Sequence, residues 1–257
     1  MIRSFLVLLL ATLLVGCVNT RKATYFNNLK ENSEFQELSA PEHIIQANDI
    51  LAITVSSQNP EAARIFNGPG RPEVRSTTPA GTQLELAGYL VNKAGLIRFL
   101  MLGDVQAQGL TTDQLQASLR NAIVNRKLLV DPVVEVRVLN YKVTVLGEVA
   151  NPTVISVQNE KISLLEALGL AGDITLYGRR NNVLVIREVS GKRVTHRVDL
   201  NSSELFTSPY YYLQSNDIVY VEPNKARLAS VSRLNQYLPA IVSSFSVLVL
   251  VINILSN

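Results

Sequence analysis

Lys142-Val143-Thr144-Val145-Leu146-Gly147-Glu148-Val149-Ala150-Asn151-Pro152-Thr153-Val154-Ile155-Ser156-Val157 holds two valine- and isoleucine-rich runs around a short interval. Runs of that composition bounded by turn residues read as strands, here Lys142–Gly147 and 153–157. Gly147 and Pro152 punctuate the pair and 148–151 supplies the turn, so the spacing predicts a hairpin. Just downstream, Ser163 and Glu166 have the capping-box spacing, in which hydroxyl and carboxylate each meet a backbone amide that the first helical turn leaves open. Leu165, Leu168 and Ala171 follow, and Gly172 is placed to stop the helix.

Working outward, further strands are expected at 183–187, 193–199 and 218–221, the last fed by a turn at 213–217. Upstream, strands are expected at Ile50–Ser56 and 133–139. Thr111 and Gln114 make a second capping box, followed on one face by Leu115, Leu119 and Ile123. Asp131-Pro132 opens a strand whose Glu135 and Arg137 point outward. Between Asn59 and Thr82 there are four prolines and three glycines without an apolar period, which reads as a long surface loop. Short strands with a helix packed on each sheet make an α+β chain.

The order of these pieces resembles the polysaccharide export family, the Wza-like outer-membrane lipoproteins. The export-domain resemblance lies in Ile45-Gln46-Ala47-Asn48-Asp49-Ile50-Leu51, Gly88-Tyr89-Leu90-Val91, Gly95-Leu96-Ile97, Leu102-Gly103-Asp104-Val105, Leu110-Thr111 and Asp131-Pro132-Val133-Val134-Glu135-Val136. A second block resembles a SLBB domain, a β-grasp module. It holds Val143 to Val149, Asn151-Pro152, Leu164-Leu165-Glu166-Ala167-Leu168, Ala171-Gly172, Arg180-Asn181-Asn182-Val183 and Asn216-Asp217-Ile218-Val219-Tyr220-Val221. The resemblance implies an export domain at 42–140, one SLBB domain at 141–223 and a C-terminal helix within 224–257. It also implies a homo-oligomer and an inner-membrane partner, the polysaccharide copolymerase or chain-length-determinant protein. Two departures stand out: longer family members carry more SLBB domains, and the family often has a proline where this chain has Phe99-Leu100-Met101-Leu102.

The N-terminus carries Arg3 and then an uncharged run from Phe5 to Val15, the pattern of a signal peptide over 1–16. Leu14-Val15-Gly16-Cys17 resembles the bacterial lipobox, so Cys17 is the expected acylation site. Cys17 is the only cysteine, which leaves no disulfide within one molecule and makes lipidation the reading of a lone exported thiol. Val18 follows where an aspartate retains many lipoproteins in the inner membrane, favouring the outer membrane. The polar stretch 17–41 reads as lipidated N-terminus and tether.

From Leu238 to Leu255 there is no charge, and a helix over 238–255 would be about 27 Å long against a hydrocarbon core of about 30 Å. Twelve of these residues are Leu, Ile, Val or Phe, favouring insertion by about 5 kcal/mol before polar penalties. At 100° per residue, Ser243, Ser246 and Asn253 fall in one uncharged polar stripe with Ser232, Asn235 and Gln236. Three uses fit: a pore-lining face of a helical ring, contacts between packed membrane helices, or a helix lying in the interface. The family resemblance favours the first.

Hydrophobic residues make up 47% of the 257, enough for a substantial core, and the net charge is only +3, with no dense basic block to recruit nucleic acid. His43 and His196 are far apart with no cysteine to join them in a zinc site, and each reads as an ordinary surface or strand residue. No nucleophile elbow, phosphate loop or paired carboxylates stand out, so neither catalysis, a metal nor a cofactor is expected. Arg179, Arg180, Arg187, Lys192, Arg193 and Arg197 form the densest basic region, more simply a solvated sheet face than a polymer site. Tyr210-Tyr211-Tyr212 carries rings that can stack on sugars. Arg179, Arg180 and Tyr211 are therefore the candidates for polysaccharide contact. The expectation is an outer-membrane lipoprotein with its body in the periplasm, forming an oligomeric conduit for capsular or extracellular polysaccharide. The alternative is a lipid-anchored polysaccharide-binding or envelope scaffold module without a channel.

Overall fold

The computed structural model describes residues 24–36, 38–67, 73–77, 83–159, 161–189, 191–230, 237, 239–244, 246–247, 249 and 251. In the first half the elements are β1 (Ile50–Ser56), α1 (Pro60–Asn67), β2 (Glu73–Thr77), β3 (Gln83–Ala87), β4 (Tyr89–Leu90), β5 (Leu96–Phe99), β6 (Gly103–Gln106), α2 (Thr112–Asn125) and β7 (Val133–Val138). In the second they are β8 (Lys142–Gly147), β9 (Thr153–Ser156), α3 (Leu164–Leu170), β10 (Gly178–Val189), β11 (Lys192–Val198), a 3₁₀ turn (Ser203–Thr207), β12 (Ile218–Pro223) and α4 (Lys225–Ser230).

Two apolar cores organise these elements. In the first, β1 lies between β4 and β7 in an antiparallel sheet, and alternation along β1 turns Leu51, Ile53 and Val55 inward. α2 lays Leu115, Leu119 and Ile123 on this core, all fully buried. Both halves of its capping box form: Gln114 N donates to Thr111 Oγ1 at 3.2 Å and Thr111 N to Gln114 Oε1 at 3.1 Å. The β5–β6 hairpin adds Ile97 and Phe99, the latter against Tyr89 and Phe66.

The second core lies under a five-stranded sheet ordered β11-β10-β12-β8-β9, in which β12 and β8 are parallel and the other neighbours antiparallel. The expected hairpin is there, with Val145 opposite Thr153. Gly147 sits at φ +93°, and a Cβ there would lie 2.1 Å from the Val221 carbonyl oxygen. Only glycine lets β8 run to its end beside β12. α3 has the expected Ser163–Glu166 capping box, but its buried face is Leu164, Ala167 and Leu168, with Leu165 only partly covered.

Three expectations need correction. The 59–82 stretch is not a long loop: Pro60–Asn67 is helical, and Glu73–Thr77 pairs with Gln83–Ala87. Pro60 occupies the first helical turn, where its missing N–H costs nothing, and a short helix carrying only Ala63 and Phe66 into the core is too brief to show a period. The polar stretch before Pro41 is not simply a solvated tether. Its described part docks on the second half, with Phe26 N and Asn27 N donating to the carbonyls of Leu200 and Asn201 at 3.1 and 2.7 Å. Phe26 and Phe35 both pack on Phe206, so the aromatic residues outweigh the polar ones around them.

His43 is not an ordinary surface histidine. Its Nε2 lies 2.7 Å from Asp49 Oδ2, both side chains are nearly buried, and its ring packs on Tyr141 where the two halves meet. Among the described residues no helix is long and apolar enough to cross a membrane. Of the expected span 238–255, helical residues are described at 239–244, 246–247, 249 and 251, while its apolar Leu238, Phe245, Leu248, Leu250, Ile252, Ile254 and Leu255 lie outside the described residues.

Candidate functional site

Three of the six cations in the basic region at β10 and β11 are ion-paired from within, Arg179 and Arg197 to Glu222 and Arg187 to Asp217. Glu222, on β12, accepts from Arg197 Nη1 at 2.7 Å, Arg179 Nη1 at 3.1 Å and Asn182 Nδ2 at 2.7 Å. The Arg197 hydrogen bond, followed by its charge, Asn182 and Arg179, holds the Glu222 carboxyl below its usual range. Arg187 does not belong to a solvated face, as the composition suggested. It is buried, grips Asp217 with Nε and Nη2 at 3.0 and 2.7 Å, and donates to the Tyr212 carbonyl. Asp217 is fully buried and also accepts the Gln214 amide, so the pair clasps β10 to the turn that feeds β12.

Arg180 is buried as well and donates to the Ile174 and Thr175 carbonyls at 2.7 and 3.3 Å, with Tyr25 stacked near its guanidinium. Tyr211 is half-buried beside Phe206 and Tyr212; burial first, then Tyr212 and Glu166, raise its phenol. Tyr210 stacks face to face on His196 at 4.2 Å, under the Arg187 guanidinium. The three contact candidates therefore do not converge: Arg179 is exposed and ion-paired, Arg180 faces inward, and Tyr211 packs against the core. Lys192 and Arg193 remain exposed on the edge strand β11.

A cleft of about 760 Å³ opens between α2 and β7, lined by Ser57, Gln58, Gln116, Arg120, Asp131 and Val133. The Gln58 amide and the Ser57 hydroxyl hold Asp131 below its usual carboxylate range, and no acid–base pair meets there. Among the described residues no group of three histidine, cysteine or carboxylate side chains converges to hold a metal. Cys17 and Asn253 lie outside the described residues. Ser243 and Ser246 are exposed, and their hydroxyls donate to the Ala240 and Val242 carbonyls at 2.9 and 3.0 Å, which satisfies them within their own helix.

The described residues thus pack as two units, each around its own apolar core. Residues 37–139 match the polysaccharide biosynthesis/export protein family and residues 141–221 match the SLBB domain. The chain belongs to the polysaccharide export family, with an SLBB domain following its export domain. It is 31% identical over 150 residues to the EPS I polysaccharide export outer membrane protein EpsA of Ralstonia solanacearum, covering 57% of this chain and 38% of that protein. The same-named protein of Ralstonia nicotianae is 31% identical over 141 residues, 53% of this chain and 36% of the relative. The match thus spans little more than a third of these relatives' length.

Proposed function

We propose that this protein is an outer-membrane component of polysaccharide export: a subunit, lipid-anchored through Cys17, of a homo-oligomeric conduit for extracellular or capsular polysaccharide. The observation that carries the reading is the tandem of an export domain and an SLBB domain in the order 37–139, then 141–221. The named function of the Ralstonia relatives supports it. In the second domain, two hairpins, β8–β9 and β10–β11, with α3 between them in sequence and β12 set between them parallel to β8, fit a β-grasp module. Both domains stand in the periplasm, and a water-filled path admits a hydrated polymer driven by an inner-membrane copolymerase. Ser243, Ser246 and Asn253 face that path from a C-terminal helix. Arg179, Arg180 and Tyr211 are secondary candidates for polymer contact. The role needs no cofactor and no bond-making residue.

The test is the native mass of the full-length protein in mild detergent against a version ending at Tyr237. A large ring that loses membrane insertion on truncation supports the conduit. A monomer in both forms overturns it and leaves a tethered polysaccharide-binding scaffold.

A further inference from the structure

One loop of the SLBB domain, 173–177, receives the chain from both directions. On one side the Tyr25 hydroxyl donates to Asp173 Oδ1, and the Tyr25 ring lies 5.3 Å from the Arg180 guanidinium, which itself holds the Ile174 and Thr175 carbonyls. Thr24 follows Cys17 by seven residues, a reach of at most about 25 Å even fully extended. On the other side Asn224 N donates to the Tyr177 carbonyl at 2.6 Å and Asn224 Nδ2 to the Leu176 carbonyl at 3.0 Å. α4 begins there and leads toward the uncharged C-terminal stretch. Arg227 of α4 pairs with Glu148 at 3.0 Å and lies over the Tyr177 ring, while the second Glu148 oxygen accepts the Thr175 hydroxyl.

The loop is held by hydrogen bonds before, within and after it, yet it presents apolar groups to solvent. Leu176 is 79% exposed, beside a half-exposed Tyr177 and, on α4, an exposed Leu228. Exposed Lys225 and Arg227 adjoin them. A rigid leucine–tyrosine edge rimmed by cations has the composition of a bilayer interface, where tyrosine sits at headgroup level and cations meet phosphate.

We infer that the 173–177 loop is a lipid-contact surface, with Leu176 and Tyr177 seated in the headgroup–acyl boundary. The inference rests on the reading above in one respect: both ends of the chain are taken to enter the membrane. A lipid surface, rather than a second copy, is the occupant because Tyr25, eight residues after the Cys17 proposed to be acylated, and Asn224, which precedes the helix before the apolar C-terminal stretch, both dock on this loop. The SLBB domain therefore touches the membrane directly instead of hanging from two leashes.

The chain has no tryptophan, so Leu176→Trp installs a single fluorophore. The full-length, acylated variant is placed in phosphatidylcholine vesicles with and without brominated acyl chains. Val130→Trp, at a 95% exposed position of the export domain, serves as the distant probe. Tyr177→Trp keeps an aromatic ring beside Arg227 and guards against a folding defect in Leu176→Trp. The expected result is about twofold quenching at 176 and 177, as burial of a few ångströms into the interface requires, and none at 130. Solvent-like emission at 176 and 177 overturns the inference. So does a blue shift without bromine quenching, which marks a protein contact, or equal quenching at 130. Native mass in the same preparation reports the ring separately, so loss of one reading is distinguishable from loss of the other.

Discussion

The two domains answer the same demand, that every buried backbone N–H and C=O be met, by opposite means. In the SLBB domain one five-stranded ladder does most of it: its longest strand, β10 from Gly178 to Val189, lies between β11 and β12. Among the described residues the domain's buried charges are Arg180, which holds the Ile174 and Thr175 carbonyls, and the Arg187–Asp217 clasp, its one buried ion pair. In the export domain the strands are short, and side-chain amides stand where further strands would be. Asn140 accepts the Ile50 amide and donates to the Asn48 carbonyl, Asn67 brackets Val55 on both its N–H and C=O, and Asn92 accepts from Ala94 and Leu96. A continuous ladder makes a domain depend on few side chains, each heavily; a patchwork spreads the dependence over many, each lightly.

Asp217→Ala puts the greatest strain on that contrast. It leaves the Arg187 guanidinium buried with the Tyr212 carbonyl but no counter-charge, and strands the Gln214 amide. Breaking a buried pair from one side costs about 3–5 kcal/mol, so the urea midpoint of the SLBB transition should fall sharply while the export domain's is kept. A loss below about 1 kcal/mol means the clasp is not where the domain concentrates its polar cost, and the contrast fails.

The same contrast explains how much was legible beforehand. The β8–β9 hairpin and both capping boxes could be read because their partners lie within a few residues, as Thr111–Gln114 and Ser163–Glu166 do. The clasp could not: Arg187 and Asp217 are 30 residues apart, and a buried arginine has no local signature that separates it from its exposed neighbours Arg193 and Arg197. In the export domain the amide brackets hid for a different reason. Asn67 and Asn140 look like loop residues, and the hairpin of β5 and β6 is too short to declare a period. Docking of the Tyr25–Phe26 segment had a signal, aromatic residues in a polar stretch, which composition averaged away. The candidate contact residues were legible as types, but their scatter between surface and core was decided by long-range packing.

Asn67→Ala measures the other side. The amide accepts the Val55 N–H at 3.0 Å, donates to the Ala63 carbonyl at 3.3 Å and makes a close contact with the Val55 carbonyl. The site is only partly buried, so water replaces some of what is lost and the cost should be about 1–2 kcal/mol. Amide exchange at Val55 should accelerate while the SLBB strands keep their protection. A cost equal to that of Asp217→Ala would show that the export domain, too, hangs on a single side chain.

The smallest effect is invisible at neutral pH and lies where the halves and the N-terminal segment are joined. Tyr141 donates to the Leu213 carbonyl at 2.7 Å, and Tyr25 donates to Asp173. Burial, aided by the Asp217 charge, pushes Tyr141 up to about 12, and burial together with the Asp173 hydrogen bond and charge pushes Tyr25 up to about 12. A phenol whose folded pKa exceeds its unfolded 10.0 stabilises fully below pH 10 and loses that contribution as pH rises through 12. Absorbance titration of the nine tyrosines should therefore show a late component that shrinks in Tyr25→Phe and again in Tyr141→Phe. Asp217→Asn, which removes the charge and keeps the shape, should bring the Tyr141 share of it to lower pH and leave the Tyr25 share in place. If all nine ionise together near pH 10 with the fold intact, neither junction is buried in solution, and the docked N-terminal segment is lost from the account along with the Tyr141 seam.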